Sequence, residues 1–264
     1  MHKLPFSIPE PSRYVSHPKV DEIAVDVNKF YRQQLNHPEG HIVDVENFIK
    51  NALGIEILWK NIPEPENRVC FAQLECENGV FKINLNQNHK TLFLSKPELL
   101  RSCLSHEIGH FILKHFDCLY VSETQGNLFN VEETSKIYFH DSAWRQLGLS
   151  YEDFVEFKNG LAKTAWTNER DREWLIHFED RLEPDWMYWQ AEQFSSCFLI
   201  PKDKLFDCLE TGLNLAEWRS LYWLRDKFGV SISMIKVRLE KLRLIEVKDR
   251  QIFLTPTPVQ GKVY

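Results

Sequence analysis

The residues best placed to do chemistry are His106, Glu107 and His110, which form a His-Glu-x-x-His run. On a helix, residues four apart lie about 40° apart around the axis, so both imidazoles project from one face. That spacing presents two nitrogen ligands to one metal ion at about 2.0–2.1 Å each. Glu107 sits about 100° round from His106. It reaches water at the site without being a ligand and is placed to take its proton. A catalytic zinc site also needs a third protein ligand and a position left open for water. The plain alternative is two histidines and a solvated glutamate on a helix surface.

A helix over 96–116 must carry this run, with Leu100, Leu104, Ile108, Phe111 and Ile112 as its apolar face. Ser95 with Glu98 three residues on fits a capping box, and Pro97 suits the first turn. Helices are expected upstream at 19–35 and 42–53, the second closed by Gly54 in the manner of a C-cap glycine. Strand-like runs follow at 55–59, 69–76 and 79–86, with Asn78-Gly79 as a turn signal between the last two. Downstream, a helix over 186–199 is stopped by Pro201, and helices over 202–211 and 215–228 come next. Gly229 ends one helix, Ser231 caps another over 232–242, and LIEV…QIFL reads as a hairpin. Helices are also expected near 151–162 and 168–180.

These motifs together resemble the ImmA/IrrE family of bacterial zinc metallopeptidases over residues 40–245. GVFKINLN resembles the family's strand before the metal helix, and LSHEIGHFILKH resembles the metal helix itself. The family's second helix has the form Glu-x-x-Ala-x-x-Phe and ends in an aliphatic pair and Pro. Ala191, Phe194, Leu199, Ile200 and Pro201 match it. The resemblance implies an α+β fold: a zincin-like helical metallopeptidase domain with a small β-sheet, plus a C-terminal winged-helix-like helical subdomain. It also implies Zn²⁺ held by His106 and His110, with Glu107 as the catalytic base. The function implied is regulatory endopeptidase action on a helix-turn-helix transcriptional repressor, derepressing stress, mobile-element or defence genes. The alternative is a catalytically inactive relative that binds a repressor or DNA.

The chain departs from the family where the third ligand belongs. Tyr188 stands in the slot in which the resemblance implies Glu. The nearest acid is Glu192, one helical turn later on the same face, and it is taken as the third metal ligand. The alternatives are Tyr188, a phenol of pKa about 10 that a metal would lower, or neither residue. Cys103 shares a helix face with His106 and reads as a packing group or a thiolate ligand. His115, about 140° round from His110 on a continued helix, reads as no ligand. The segment 119–185 looks like an insertion, either a lid or collar or a solvated excursion. It holds Tyr138, His140 and His177, each of which reads as a surface residue or an oxyanion donor.

Three units are expected: an N-terminal tail and helix (1–40), a metallopeptidase-like domain (41–205) and a helix-turn-helix unit (206–264). In the last, Lys236, Arg238, Lys241 and Arg243 are the side chains suited to phosphates. A docking or structural role is the stronger reading, because Met234, Val237, Leu239 and Leu242 give the same helix an apolar side. Charge agrees with that division. Residues 215–250 hold nine basic and five acidic groups, whereas the whole chain has a formal charge of −6. A negative chain of 264 residues does not coat nucleic acid along its length. With no CxxC pair, a zinc ribbon or thioredoxin site is not indicated. The start, MHKLPFSIPEPSR, has no apolar stretch of the secretory type, and no uncharged run approaches the roughly 20 residues of a membrane span. A reduced, cytoplasmic protein is the expectation.

Overall fold

The computed structural model describes residues 15–34, 40–64, 69–77, 80–115, 137–140 and 185–255. Helix α1 (His17–Gln34) buries Val20, Ile23, Ala24, Val27 and Tyr31, the stripe that its sequence spacing predicts. The helix expected over 42–53 is shorter and wider. One turn of α2 (Val45–Asn47) passes into a π-helical stretch, Phe48–Leu53. Gly54 then closes it at φ +68°, a left-handed conformation that glycine adopts without a Cβ penalty.

Four strands make the larger sheet, in the order β1-β3-β2-β4. β1 (Glu56–Lys60) runs parallel to β3 (Val80–Asn86), while β2 (Ala72–Glu77) is antiparallel both to β3 and to β4 (Ile137–His140). The expected β2–β3 pairing is present, with Glu77 opposite Val80. Leu74, Ile83 and Leu85 turn one face of the sheet into the core. Asn86 secures the end of β3: its Nδ2 donates to the carbonyl of Cys70 at 2.8 Å, and its Oδ1 accepts from the backbone N–H of Asn88 at 3.1 Å.

A short helix not foreseen in the sequence, α3 (Lys90–Ser95), precedes α4 (Pro97–Ile112), which carries the His-Glu-x-x-His run. The capping box expected at Ser95 is not formed. Ser95 is the last residue of α3, and its hydroxyl donates back to the carbonyl of Leu92 at 2.9 Å. Lys96 occupies the cap position of α4 with no side-chain cap, and Pro97 provides the first turn. α4 also ends earlier than expected. Leu113 donates to Gly109, and Lys114 takes φ +55° and turns the chain. From Cys103 to His110 the helix is buried on every side, so it is a central helix rather than an amphipathic surface one.

α5 (Asp185–Leu199) packs against both α4 and α1. It brings Phe198 to Phe48, with the two rings 5.4 Å apart, and stacks Phe194 against Phe198 at 5.7 Å. Pro201 separates it from α6 (Lys202–Leu209). Then come α7 (Trp218–Phe228) and α8 (Ile232–Lys241), joined at Gly229, where φ is +62°. Ser231 caps α8 as expected, accepting from the N–H of Met234 at 3.1 Å. β5 (Ile245–Lys248) and β6 (Gln251–Leu254) form the expected hairpin. The tail 1–14, the helices expected near 151–162 and 168–180, and nearly all of the 119–185 segment lie outside the described residues.

Candidate metal centre

The centre is built where α4 crosses α5. Small residues line the crossing: Ser105 and Gly109 on α4, Ala191 and Ser195 on α5. A Cβ at Gly109 would lie 2.9 Å from the Cα of Ala191, so the backbones meet there at a distance only glycine permits. One turn away, the hydroxyls of Ser105 and Ser195 are 2.8 Å apart. Ser105 also donates to the carbonyl of Arg101 at 2.6 Å, which binds its side chain closely to its own helix. This seam sets His106 of α4 against Tyr188 and Glu192 of α5, and His115, just past α4, against Gln190.

His106 and His110 turn their Nε2 atoms toward one another, 3.0 Å apart. Two nitrogen ligands at about 2.0–2.1 Å in a tetrahedral site stand about 3.3 Å apart, so the pair has close to the bite of a metal site. Both rings are buried, as is Glu107, which is 1% exposed. Burial, reinforced by the neighbouring His106 and His115, pushes the pKa of His110 far below the ordinary imidazole value. His110 is therefore neutral at pH 7, the form that ligates a metal.

Each ring has a partner behind it. The Oε2 of Glu192 lies 3.4 Å from Nδ1 of His106. Nδ1 of His110 is 2.8 Å from Nδ1 of His115, whose Nε2 is 3.1 Å from Oε1 of Gln190. His115 is buried as well, and burial brings its pKa down to about 3, against the upward pull of the Gln190 hydrogen bond. Metal-binding histidines commonly donate their second ring N–H to a carboxylate or other acceptor in this way.

Glu192, expected as the third ligand, thus meets His106 at Nδ1, while Nε2 faces His110. The two histidines and this acid do not converge on one point. Accordingly, among the described residues no group of three His, Cys, Asp or Glu side chains is gathered to hold a metal. Tyr188 lies with its ring centroid 4.7 Å from that of His106 and is 3% exposed, so its ring forms a wall of the site. Cys103 is part of the buried core. Tyr138 and His140 lie on β4, whose backbone alone is described, and His177 lies outside the described residues.

Sequence reasoning missed His115 and Gln190. It placed His115 by continuing the helix, but α4 stops at Ile112, and the left-handed turn at Lys114 brings His115 back to His110. Gln190 carries no sequence signal of its own.

Of the four basic residues expected to suit phosphates, Arg238 is 1% exposed and is not offered to them. Its guanidinium donates to both carboxylate oxygens of Asp21, at 2.6 and 3.3 Å, and to the carbonyl of Ile200 at 3.1 Å. Val237, taken as packing, is 45% exposed, and Ile235 fills the core position instead.

A family model described as the IrrE N-terminal-like domain, of the peptidase M78 type, matches residues 179–240. The match takes in α5 to α8 and begins downstream of the His-Glu-x-x-His run. No curated protein matches the chain. No described helix is long and apolar enough to cross a membrane.

Proposed function

From the ImmA/IrrE family relationship that residues 179–240 support, we propose that this chain is a zinc-dependent, cytoplasmic regulatory endopeptidase. The observation that carries this reading is the pair of buried Nε2 atoms 3.0 Å apart, with Glu107 next to His106 on the same helix. Zinc at such a centre supplies Lewis acidity, which polarises a scissile carbonyl and acidifies water. The protein's own part falls to four side chains. His106 and His110 offer their Nε2 nitrogens. Glu107 accepts the proton of the attacking water and returns it to the leaving amine nitrogen. Glu192, whose side chain is 31% exposed, completes the centre as third ligand after a rotation. A second reading of Glu192 is favoured by its contact with Nδ1: it stays where it is and orients His106.

The substrate class rests on the family resemblance: a helix-turn-helix repressor, whose cleavage derepresses stress, mobile-element or defence genes. The inactive-relative alternative finds no support in an intact His-Glu-x-x-His run. The test is to load the purified chain with Zn²⁺, incubate it with a panel of helix-turn-helix repressors and look for discrete cuts by mass spectrometry. About one zinc per chain and a cut that is absent with Glu107→Gln support the enzyme. A chain that retains no zinc and cuts nothing overturns it.

A further inference from the structure

Behind His110 runs a buried line of polar atoms: Nδ1 of His110 to Nδ1 of His115 at 2.8 Å, then Nε2 of His115 to Oε1 of Gln190 at 3.1 Å. All three side chains are fully buried. The direction of the hydrogen bonds follows from the far end. An amide oxygen only accepts, so His115 presents Nε2–H to Gln190. A neutral imidazole carries one N–H, which makes Nδ1 of His115 an acceptor. His110 must then donate from Nδ1, and its Nε2 keeps the lone pair, which meets Nε2 of His106 at 3.0 Å.

We infer that Gln190 and His115 form a tautomer-setting relay that holds His110 ready to bind a divalent metal through Nε2. It rests on the zinc reading of the centre. Gln190 and His115 are positioning residues, acting on the metal through His110. The relay also explains why a histidine lies past the end of α4. With the opposite polarity, an amide N–H directed at His115 would place the proton of His110 on Nε2 and block the lone pair. Gln190 lies on α5 and His110 on α4, so the α4–α5 seam determines the His110 tautomer.

The first test uses metal-free protein with ¹⁵N-labelled histidine. Two-bond ¹H–¹⁵N spectra should show His110 as the Nδ1–H tautomer and His115 as the Nε2–H tautomer. His110 found as Nε2–H overturns the relay. The second measures Zn²⁺ affinity by chelator competition. Gln190→Leu should weaken binding by about 10–100-fold, the usual cost of removing such a partner. Gln190→Glu retains an acceptor and should restore parent-like affinity. Equal affinity in Gln190→Leu and the parent overturns the proposal, and if that variant does not fold, the spectra of the parent decide. A parent that binds no zinc removes the zinc reading, while its metal-free spectra still test the relay.

Discussion

The carboxylate of Glu192 meets His106 at Nδ1, 3.4 Å away, on the other side of the ring from the nitrogen that faces His110. In the ImmA/IrrE family, which the sequence resembles, the second helix is expected to bring an acid to the metal. Here the acid lies one turn later, behind the ring of His106, and Tyr188 packs against that ring.

Glu192 should therefore govern metal retention whichever of its two roles it plays. Glu192→Ala is expected to weaken zinc binding by about tenfold or more, whereas Tyr188→Phe keeps the ring against His106 and should leave affinity unchanged. Equilibrium dialysis at pH 7 checks both. Zinc lost on Tyr188→Phe and retained on Glu192→Ala would reverse the assignment.

Glu107→Gln should fold and bind zinc like the parent but lose cleavage by about 10²–10⁴-fold, since an amide cannot take a proton from water. Parent-like turnover in the zinc-loaded variant would remove Glu107 from the mechanism.

Gly109→Ala tests the seam. The new methyl would lie 2.9 Å from the Cα of Ala191, and backbone yields less readily than the end of a side chain. The expected loss is about 1–3 kcal/mol, as for other overpacked sites, and zinc affinity should fall with it as α5 is pushed away. Urea unfolding with and without zinc reads both effects.

Stability should also depend on pH. The folded-state pKa of His115 lies near 3 and that of His110 well below normal, whereas both titrate near 6.5 once unfolded. Below about pH 6.5 the unfolded chain takes up protons that the native one refuses, so stability is complete above that pH and declines toward pH 3. Each histidine contributes a slope of up to about 1.4 kcal/mol per pH unit. Urea midpoints of the metal-free protein at pH 7, 6 and 5 give the slope, and His115→Phe should reduce it. A flat profile would mean that these rings are protonated in the native state.

Arg238→Ala should cost about 3 kcal/mol or more, because Asp21 and the carbonyl of Ile200 lose their buried donor. Lys241→Ala, at an exposed side chain, should change little. Thermal unfolding of the two variants compares them directly.

Much of this was legible from spacing alone. The period of α1 and α5, the Gly54 and Gly229 stops, the Ser231 cap and the β2–β3 pairing each follow from a local rule. What escaped depended on three-dimensional neighbours. Ser95 had the letters of a cap, but α3 claimed it first. Arg238 had the charge of a phosphate contact, but Asp21, more than 200 residues earlier, had already engaged it. His115 needed the turn at Lys114, and Gln190 needed His115. The acid one turn past its expected slot was legible; the side of His106 that it faces was not.

The Arg238 clamp has a mechanical consequence. It holds the C-terminal end of α5, through Ile200, to α1 and α8, while Arg101 of α4 donates to the carbonyl of Gly229 between α7 and α8 at 3.0 Å. A helix is stiff over the roughly 12–15 Å that separate this end of α5 from Glu192 and Gln190. The C-terminal helix pair is therefore a handle rather than an appendage. A partner that grips α7 and α8 grips both helices of the candidate metal centre, and a tilt imposed there shifts Gln190 and Glu192 relative to the rings they meet.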